Sequence, residues 1–354
     1  AHWRTVLSVV FGVLIATTIM SGMAIYFDSL RELALDNILA KYSDRELNIL
    51  QRARRGPISH EEYQKIDSIS RREVEDRIGW AITDRIMVGR SETYFLTQIG
   101  DETRAGKDNS RAYFAFSPRL KDEITIVRGK FPADRSFTIP GEVLELEAII
   151  PLEVSELFRV DVGDKLLAVS PRDDDSDNVV VRISGIFERT DNESEFWYME
   201  KAVLNASTGP RFRTMPFHIA QNSFLDLLGP YSRRMSAVYG WVLVVDEDRI
   251  NADNAGQLSS DILGMQKKLF STLEGFRQTT QLQVALQVYD QRLFFSRLPM
   301  FVVFGFIELV AIYYIIILSG VAVEARKTEI GLLRSRGATY AQILAIFVTE
   351  GITI

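Results

Sequence analysis

The 354-residue chain has no cysteine and only three histidines, His2, His60 and His218. Without thiolates, and with histidines at no metal-ligand spacing, no metal site is expected. The missing disulfides leave the compartment open: their presence would favour an oxidising one, and their absence excludes none. There is no G-x-x-x-x-G-K-[ST] loop to cradle a nucleotide's phosphates, so the chain is expected not to bind or hydrolyse ATP in that way. There is no G-x-S-x-G either, and a membrane-anchored hydrolase lacks a nucleophile–base set. No catalytic residue, cofactor or metal is therefore expected. A net charge of −6 gives no reason to expect nucleic acid. No internal repeat at solenoid spacing is present.

What the chain does have is apolar sequence gathered in a few places. Residues 5–27 form a run of 23 without a charge, roughly 34 Å as a helix. Residues 298–323 form a run of 26 whose only charge is Glu308. Both exceed the roughly 20 residues needed to cross a bilayer core. Residues 341–354 are apolar again but too short to span, so the chain is expected to stop inside a third span. Between the first two runs lie 270 residues of mixed polarity. The expected organisation is a transmembrane helix (1–27), an extracytoplasmic domain with a helical stalk (28–297), a second transmembrane helix (298–323), a cytoplasmic helix and turn (324–340) and the start of a third transmembrane helix (341–354). Arg326, Lys327, Arg334 and Arg336 are the densest basic cluster beside a span, and basic residues stay inside. Arg4 adds to that vote, while Arg31, Lys41, Arg292 and Arg297 flank the spans on the other side. Gly22-Met-Ala24 loosely fits a signal-peptide cleavage site, but the run is long for a signal. It also carries Ser8, Gly12 and Ala16 at four-residue spacing, a face suited to helix packing in lipid. The following domain is outside in either case.

The first span is expected to continue as an amphipathic helix on Leu30, Leu33, Ala34 and Ile38. Strands are predicted at 46–51, 86–98, 111–116, 123–127, 165–169, 179–187 and 241–245. A helix over 59–80 opens with Ser59 and Glu62 in a capping box, and a short one over 151–158 has proline first. Val160-Asp-Val-Gly-Asp164 reads as a turn into the next strand. Leu258, Ile262, Met265 and Leu269 share a helical face, Gly275 interrupts, and Leu282, Leu286, Tyr289 and Leu293 form a second face backed by Gln281, Gln283, Gln287 and Gln291. The fold class is an α+β domain inserted between transmembrane α-helices.

Among side-chain clusters, Arg172-Asp-Asp-Asp-Ser-Asp-Asn178 has oxygens for a hard cation but lacks the glycine and distal glutamate of an EF-hand, and reads as a solvated hairpin loop. Asn192-Glu-Ser194 and Asn205-Ala-Ser207 fit a glycosylation pattern that arises often by chance. Glu308, costly in hydrocarbon, is expected to face a partner helix or water, either as a coupling residue or as a hydrogen bond that orients two helices. Tyr313 and Tyr314 in the same run point to helix–helix contact. From 328 to 336 the sequence makes two helical turns, with Ile330 and Leu333 on one face and Lys327, Glu329, Arg334 and Arg336 around the other. Gly337 stands where a helix ends left-handed, and Thr339 with Gln342 caps the next helix. Two readings fit: a short rigid cytoplasmic helix, or a loop with basic residues held at the lipid headgroups.

This segment resembles the cytoplasmic loop of FtsX-like, or MacB-type, ABC transporter permeases, in which the second span is followed by E-I-G-L-L-R-x-x-G-A and a third span with an early acidic residue before glycine. Glu329-Ile-Gly-Leu-Leu-Arg334, Arg336-Gly-Ala338 and Glu350-Gly351 stand in those places. Weaker likenesses are Ile126-Val-Arg-Gly-Lys-Phe-Pro132, the stretch from Ala148 to Asp164, and Val181-Arg-Ile-Ser-Gly-Ile-Phe187. The resemblance implies a permease in the bacterial plasma membrane, with a cytoplasmic ABC ATPase, a second permease copy or half, and membrane lipids as partners. It implies mechanical movement of the outside domain, to export lipids, lipoproteins or peptides or to activate cell-wall hydrolases. Glu329, Ile330, Leu333, Arg334, Arg336 and Gly337 would then be ATPase-coupling residues, with Glu308 and Glu350 as intramembrane polar groups. A two-span receptor with an extracytoplasmic sensor domain is the alternative; its second span should lead into a signalling helix.

Overall fold

The computed structural model describes residues 2–101, 109–134, 143–171, 178–197 and 213–353, without side chains at 2–13, 15, 16, 19, 20, 23, 24, 296–300, 318, 319, 322, 325, 347, 348 and 350–353. In chain order its main elements are α1 (His2–Leu39), α2 (Asp44–Leu47), β1 (Ile49–Arg55), α3 (His60–Ile78), β2 (Ile82–Arg90), β3 (Tyr94–Gln98), β4 (Ser110–Phe116), β5 (Ile124–Gly129), β6 (Leu144–Pro151), α4 (Leu152–Phe158), β7 (Lys165–Val169), β8 (Val179–Arg189), β9 (Arg213–His218), β10 (Ala237–Val245), α5 (Ala255–Thr272), β11 (Arg277–Thr279), α6 (Leu282–Ala325), α7 (Lys327–Ser335) and α8 (Tyr340–Thr353). The chain divides into two units, Leu35–Tyr289 on one hand and Ala1–Ala34 with Asp290–Ile354 on the other.

Leu35–Tyr289 is a mixed α/β unit whose framework is a split β-α-β pair. β1-α3-β2 and β10-α5-β11 interleave in the order β11-β1-β10-β2, with every neighbouring pair antiparallel. Period-two alternation puts Ile49, Gln51 and Ala53 of β1 on a buried face. Four-residue spacing puts Ile66, Ser70, Val74 and Ile78 on the buried face of α3. Leu258, Ile262, Met265 and Leu269 do the same for α5, as their periodicity predicts. Each aliphatic side chain so buried contributes roughly 1.5–3 kcal/mol.

Two polar groups are built into this layer, and both are satisfied. Gln51 donates to Gln278 Oε1 at 3.1 Å and accepts from Ser70 Oγ at 3.3 Å. Asp67 accepts from Trp241 Nε1 at 2.9 Å and from Arg85 at 2.8 Å, and the Arg85 guanidinium lies 5.5 Å over the Trp241 ring. Burial pushes the Asp67 carboxyl up, but the Arg85 charge, the hydrogen bonds from Arg85 and Trp241, and Arg71 together outweigh it and hold the group below the usual carboxylate range.

The other face of the sheet is closed by the segment inserted between β2 and β10. Ile86, Val88 and Val242 pack with Tyr113, Ile149, Phe187, Phe196 and Trp197 of the insertion. Within the insertion, β4-β3-β7-β8-β6-β9 run in sequence and β9 pairs back onto β4, so six strands close into a small barrel. β5 adds to β8 beyond the stretch that β7 occupies.

Several sequence expectations are corrected. Residues 46–51 do not form one strand: Glu46 caps the turn Asp44–Leu47 by accepting from the Ser43 N–H at 2.9 Å, and the strand begins at Ile49. Residues 86–98 are two strands, broken where the Ser91 side chain accepts the Phe114 N–H at 3.0 Å and the chain turns. At α3, Ser59 accepts from Glu62 N–H, but the Glu62 carboxylate goes to Arg55, leaving half a capping box. Pro151 is the N-cap of α4 rather than its first helical residue. On α1 the buried residues are Leu35, Ile38 and Leu39, while Leu30 and Leu33 are exposed. Gln283 is not on a polar back but buried, donating to Ser259 Oγ at 3.1 Å.

In the second unit α1 and α6 are continuous helices that contain the uncharged run 5–27 and the run 298–323, whose only charge is Glu308. Counting only the described residues, no helix is long and apolar enough to cross a membrane. Ser8, Gly12 and Ala16 lie outside the described side chains.

The Asp67 cluster generates a signed expectation. A carboxyl whose folded pKa lies below its unfolded value contributes stability that is fully present above the unfolded pKa, near 4, and is lost as pH falls through the folded value. Asp67→Asn is expected to cost about 2–4 kcal/mol near neutral pH, because it leaves Arg85 and Trp241 mismatched in a mostly buried site. In urea unfolding across pH, the gap between wild type and Asp67→Asn should narrow below pH ~4; a gap that does not change with pH would contradict this.

Candidate functional site

The candidate site is the short helix between α6 and α8. α6 ends at Ala325, and Arg326 (φ −105°, ψ 9°) breaks the helix before α7 begins. Lys327 Nζ reaches back to Glu324 at 2.5 Å. The end of α7 is set by Gly337, at φ +87°. The Ala338 N–H donates to Leu333 O at 3.1 Å and the Gly337 N–H to Arg334 O at 3.0 Å, the paired six-to-one and five-to-two bonds of a Schellman motif. A Cβ on Gly337 would meet nothing within 4 Å, so backbone conformation and not packing demands glycine. Two residues later Thr339 and Gln342 form a reciprocal capping box: the Thr339 N–H donates to Gln342 Oε1 at 3.0 Å and the Gln342 N–H to Thr339 Oγ1 at 3.4 Å. The Arg334 guanidinium lies 4.3 Å over the Tyr340 ring, tying the last turn of α7 to the first of α8.

Of the residues singled out in the sequence, Glu329, Arg334 and Arg336 are exposed, and Ile330 and Leu333 are half-buried. The exposed apolar side chain of α7 is Leu332, at 58%. In Ile330-Gly-Leu-Leu333 the apolar spacing alone does not say which leucine faces outward, so Leu332 was not legible. Glu308 is an exposed residue of α6, and Tyr313 and Tyr314 of the same helix are exposed too. The Glu350 side chain lies outside the described residues, as do the loop 172–177 and Asn205-Ala-Ser207.

Elsewhere, His218 is fully buried; burial first, then the Arg189 charge, hold it down at about 4, so it is a neutral core residue, 5.5 Å edge-on to Phe187. Among the described residues no group of His, Cys, Asp or Glu could hold a metal ion. Sequence reasoning missed a cavity of about 600 Å³ at one end of the six-strand barrel, lined by parts of β3, β4, β7 and β9 and the end of α4. Arg159, the residue after α4, sits there with φ 57° and ψ 47°, a left-handed conformation that costs a side-chain-bearing residue about 1–2 kcal/mol.

Residues 301–354 match the family described as FtsX-like permease C-terminal. That segment, about a seventh of the chain, is similar to the C-terminal part of FtsX-like permeases. Among solved structures the chain is similar to the periplasmic region of MacB from Actinobacillus actinomycetemcomitans, at 10% identity over 71% of this chain and 97% of that one, with a TM-score of 0.35. It is also similar to a domain of a putative permease protein from Porphyromonas gingivalis, at 12% identity over 67% of this chain and 90% of that one, with a TM-score of 0.27. No curated protein matches it.

The two glycines of α7 and its end should respond in opposite directions. Gly331→Ala, in the helix and with nothing within 4 Å of its Cβ, is expected to stabilise α7 by about 0.5–1 kcal/mol. Gly337→Ala is expected to cost about 1 kcal/mol or more. Hydrogen exchange at the Ala338 amide reads both: about fivefold faster in Gly337→Ala and slower in Gly331→Ala. Equal rates in wild type and Gly337→Ala would show that the left-handed turn does not hold the helix end.

Proposed function

We propose that this chain is the transmembrane permease subunit of an ABC transporter, in which α7 couples ATP hydrolysis by a cytoplasmic ATPase to mechanical movement of the domain 28–297 on the other side of a bacterial plasma membrane. The observation that carries this reading is the order of parts: a long apolar helix, a break, a short helix, a glycine turn and a capped apolar helix, within the segment that matches the FtsX-like family. Membrane insertion is supported by the two apolar runs of 23 and 26 residues, the second with Glu308 as its only charge. It is supported also by the surface of α6, where Phe301, Phe306, Leu309 and Ile316 are each more than 60% exposed, an apolar display that a water-facing helix does not carry. The basic residues Arg326, Lys327, Arg334 and Arg336 favour the cytoplasm for α7. Lipids and a second permease copy or half would cover the apolar helices, with Glu308 and Glu350 facing such a partner or water. The cargo is of the kind such movement can expel or switch on: lipid, lipoprotein, peptide or a cell-wall hydrolase. A two-span receptor is less well supported, because α6 is broken at Arg326 and the chain is turned again at Gly337 instead of continuing as a signalling helix.

In this proposal α7 docks on the ATPase with Glu329, Arg334 and Arg336 as polar contacts and Leu332 beside the half-buried Ile330 and Leu333 as its apolar contact. Arg334→Glu, Leu332→Asp and Leu333→Asp in the full-length protein are each expected to weaken co-purification with the ATPase and permease-dependent ATP turnover about tenfold or more, the loss of one strong contact of about 2 kcal/mol. The thermal unfolding of the domain should stay unchanged. If all three leave association and turnover intact, α7 is not the docking element, and a segment held at the lipid headgroups is the better account.

A further inference from the structure

The barrel end identified above is built by four strands that meet at the same rim: the C-terminal end of β3 and the N-terminal ends of β4, β7 and β9. Its cavity has an apolar floor, with Leu96, Leu166 and Met215 all buried, and a charged wall that includes Arg159, Asp164 and Lys165. Barrel mouths and cavities of roughly 300–1,000 Å³ are where small-molecule sites occur.

The charges on the wall are not equivalent. Lys165 Nζ is held by Glu145 at 2.8 Å, and Asp164 accepts the Asp161 N–H at 2.8 Å. The Arg159 guanidinium has no hydrogen-bond or ion-pair partner among the described residues, its backbone N–H going to Ser155 O, and the residue is exposed on the cavity's lining. It also holds the left-handed conformation that glycine or asparagine would adopt with less strain. A long cation kept at such a position, without an internal partner and on a cavity wall, is the pattern of a ligand contact, since backbone outliers gather at binding sites. A guanidinium matches the planar oxygens of a carboxylate or phosphate in a fork. Asp101 and Asp164 on the same wall would repel a second negative group, so the ligand carries one anionic group and a polar remainder.

We propose that the barrel mouth binds a small organic oxyanion, a single carboxylate or phosphate ester on a polar body, with Arg159 as its charge partner. Isothermal titration calorimetry on the full chain in detergent tests this with gluconate, glucose 6-phosphate, glucose and inorganic phosphate as probes. Saturable one-to-one binding is expected for at least one of the two organic anions and not for glucose, and the anion that binds tells carboxylate from phosphate ester. Arg159→Gly, which removes the guanidinium and relieves the backbone, should weaken that binding at least tenfold with an unfolding midpoint equal to or above that of wild type. Arg159→Asn, which also tolerates the left-handed region, should do the same and decides the matter if the glycine variant unfolds early. The proposal is overturned if neither organic anion binds saturably at millimolar concentration, if glucose binds as well, if inorganic phosphate alone binds (an adventitious ion only), or if both Arg159 variants keep wild-type affinity.

Discussion

The geometry of the C-terminal segment depends on how α7 ends. The last carbonyls of a helix have no partners within it, and an end left to water frays. Here Gly337 enters the left-handed region, two of those carbonyls are bonded at once by Gly337 and Ala338, and Thr339 with Gln342 starts the next helix within one turn. The corner between α7 and α8 therefore has few free torsions, and Arg334 stacked over Tyr340 closes it from the side chains.

The packing of the unit Leu35–Tyr289 is fixed from both faces of its sheet. Its central sheet is covered on one face by α3 and α5 and on the other by the inserted barrel, so neither face is free to slide on water. Two polar groups inside it are matched: Gln51 to Gln278 and Ser70, Asp67 to Arg85 and Trp241. Buried polar groups with partners fix one packing over its near neighbours, because any slip leaves one of them unbonded at a cost of about 1–3 kcal/mol.

Much of this was legible in the sequence where one local rule decides the outcome. The turn at Gly337, the Thr339 cap and the buried face of α5 each follow from residues within one or two turns of each other. Where the deciding partner is remote in sequence, the reading failed. Gln283 looks like surface until Ser259, 24 residues before it, is found beside it. The break at Ser91 comes from a bond to Phe114 on a strand formed later in the chain. The barrel mouth is lined from five separate segments, none unusual alone, and the left-handed Arg159 has no signature that a single sequence displays. For α7 the segment was identified but its outward apolar residue was not, since Leu332 and Leu333 differ only by their place around the helix.

The central claim is that α7 and the domain 28–297 lie on opposite sides of a membrane. Because the chain has no cysteine, single-cysteine variants at two exposed serines, Ser271→Cys and Ser335→Cys, report on each side without background. On intact spheroplasts a membrane-impermeant maleimide should label position 271 and leave 335 unlabelled until the membrane is permeabilised. Labelling of 335 on intact spheroplasts, or protection of 271 there, would contradict the account.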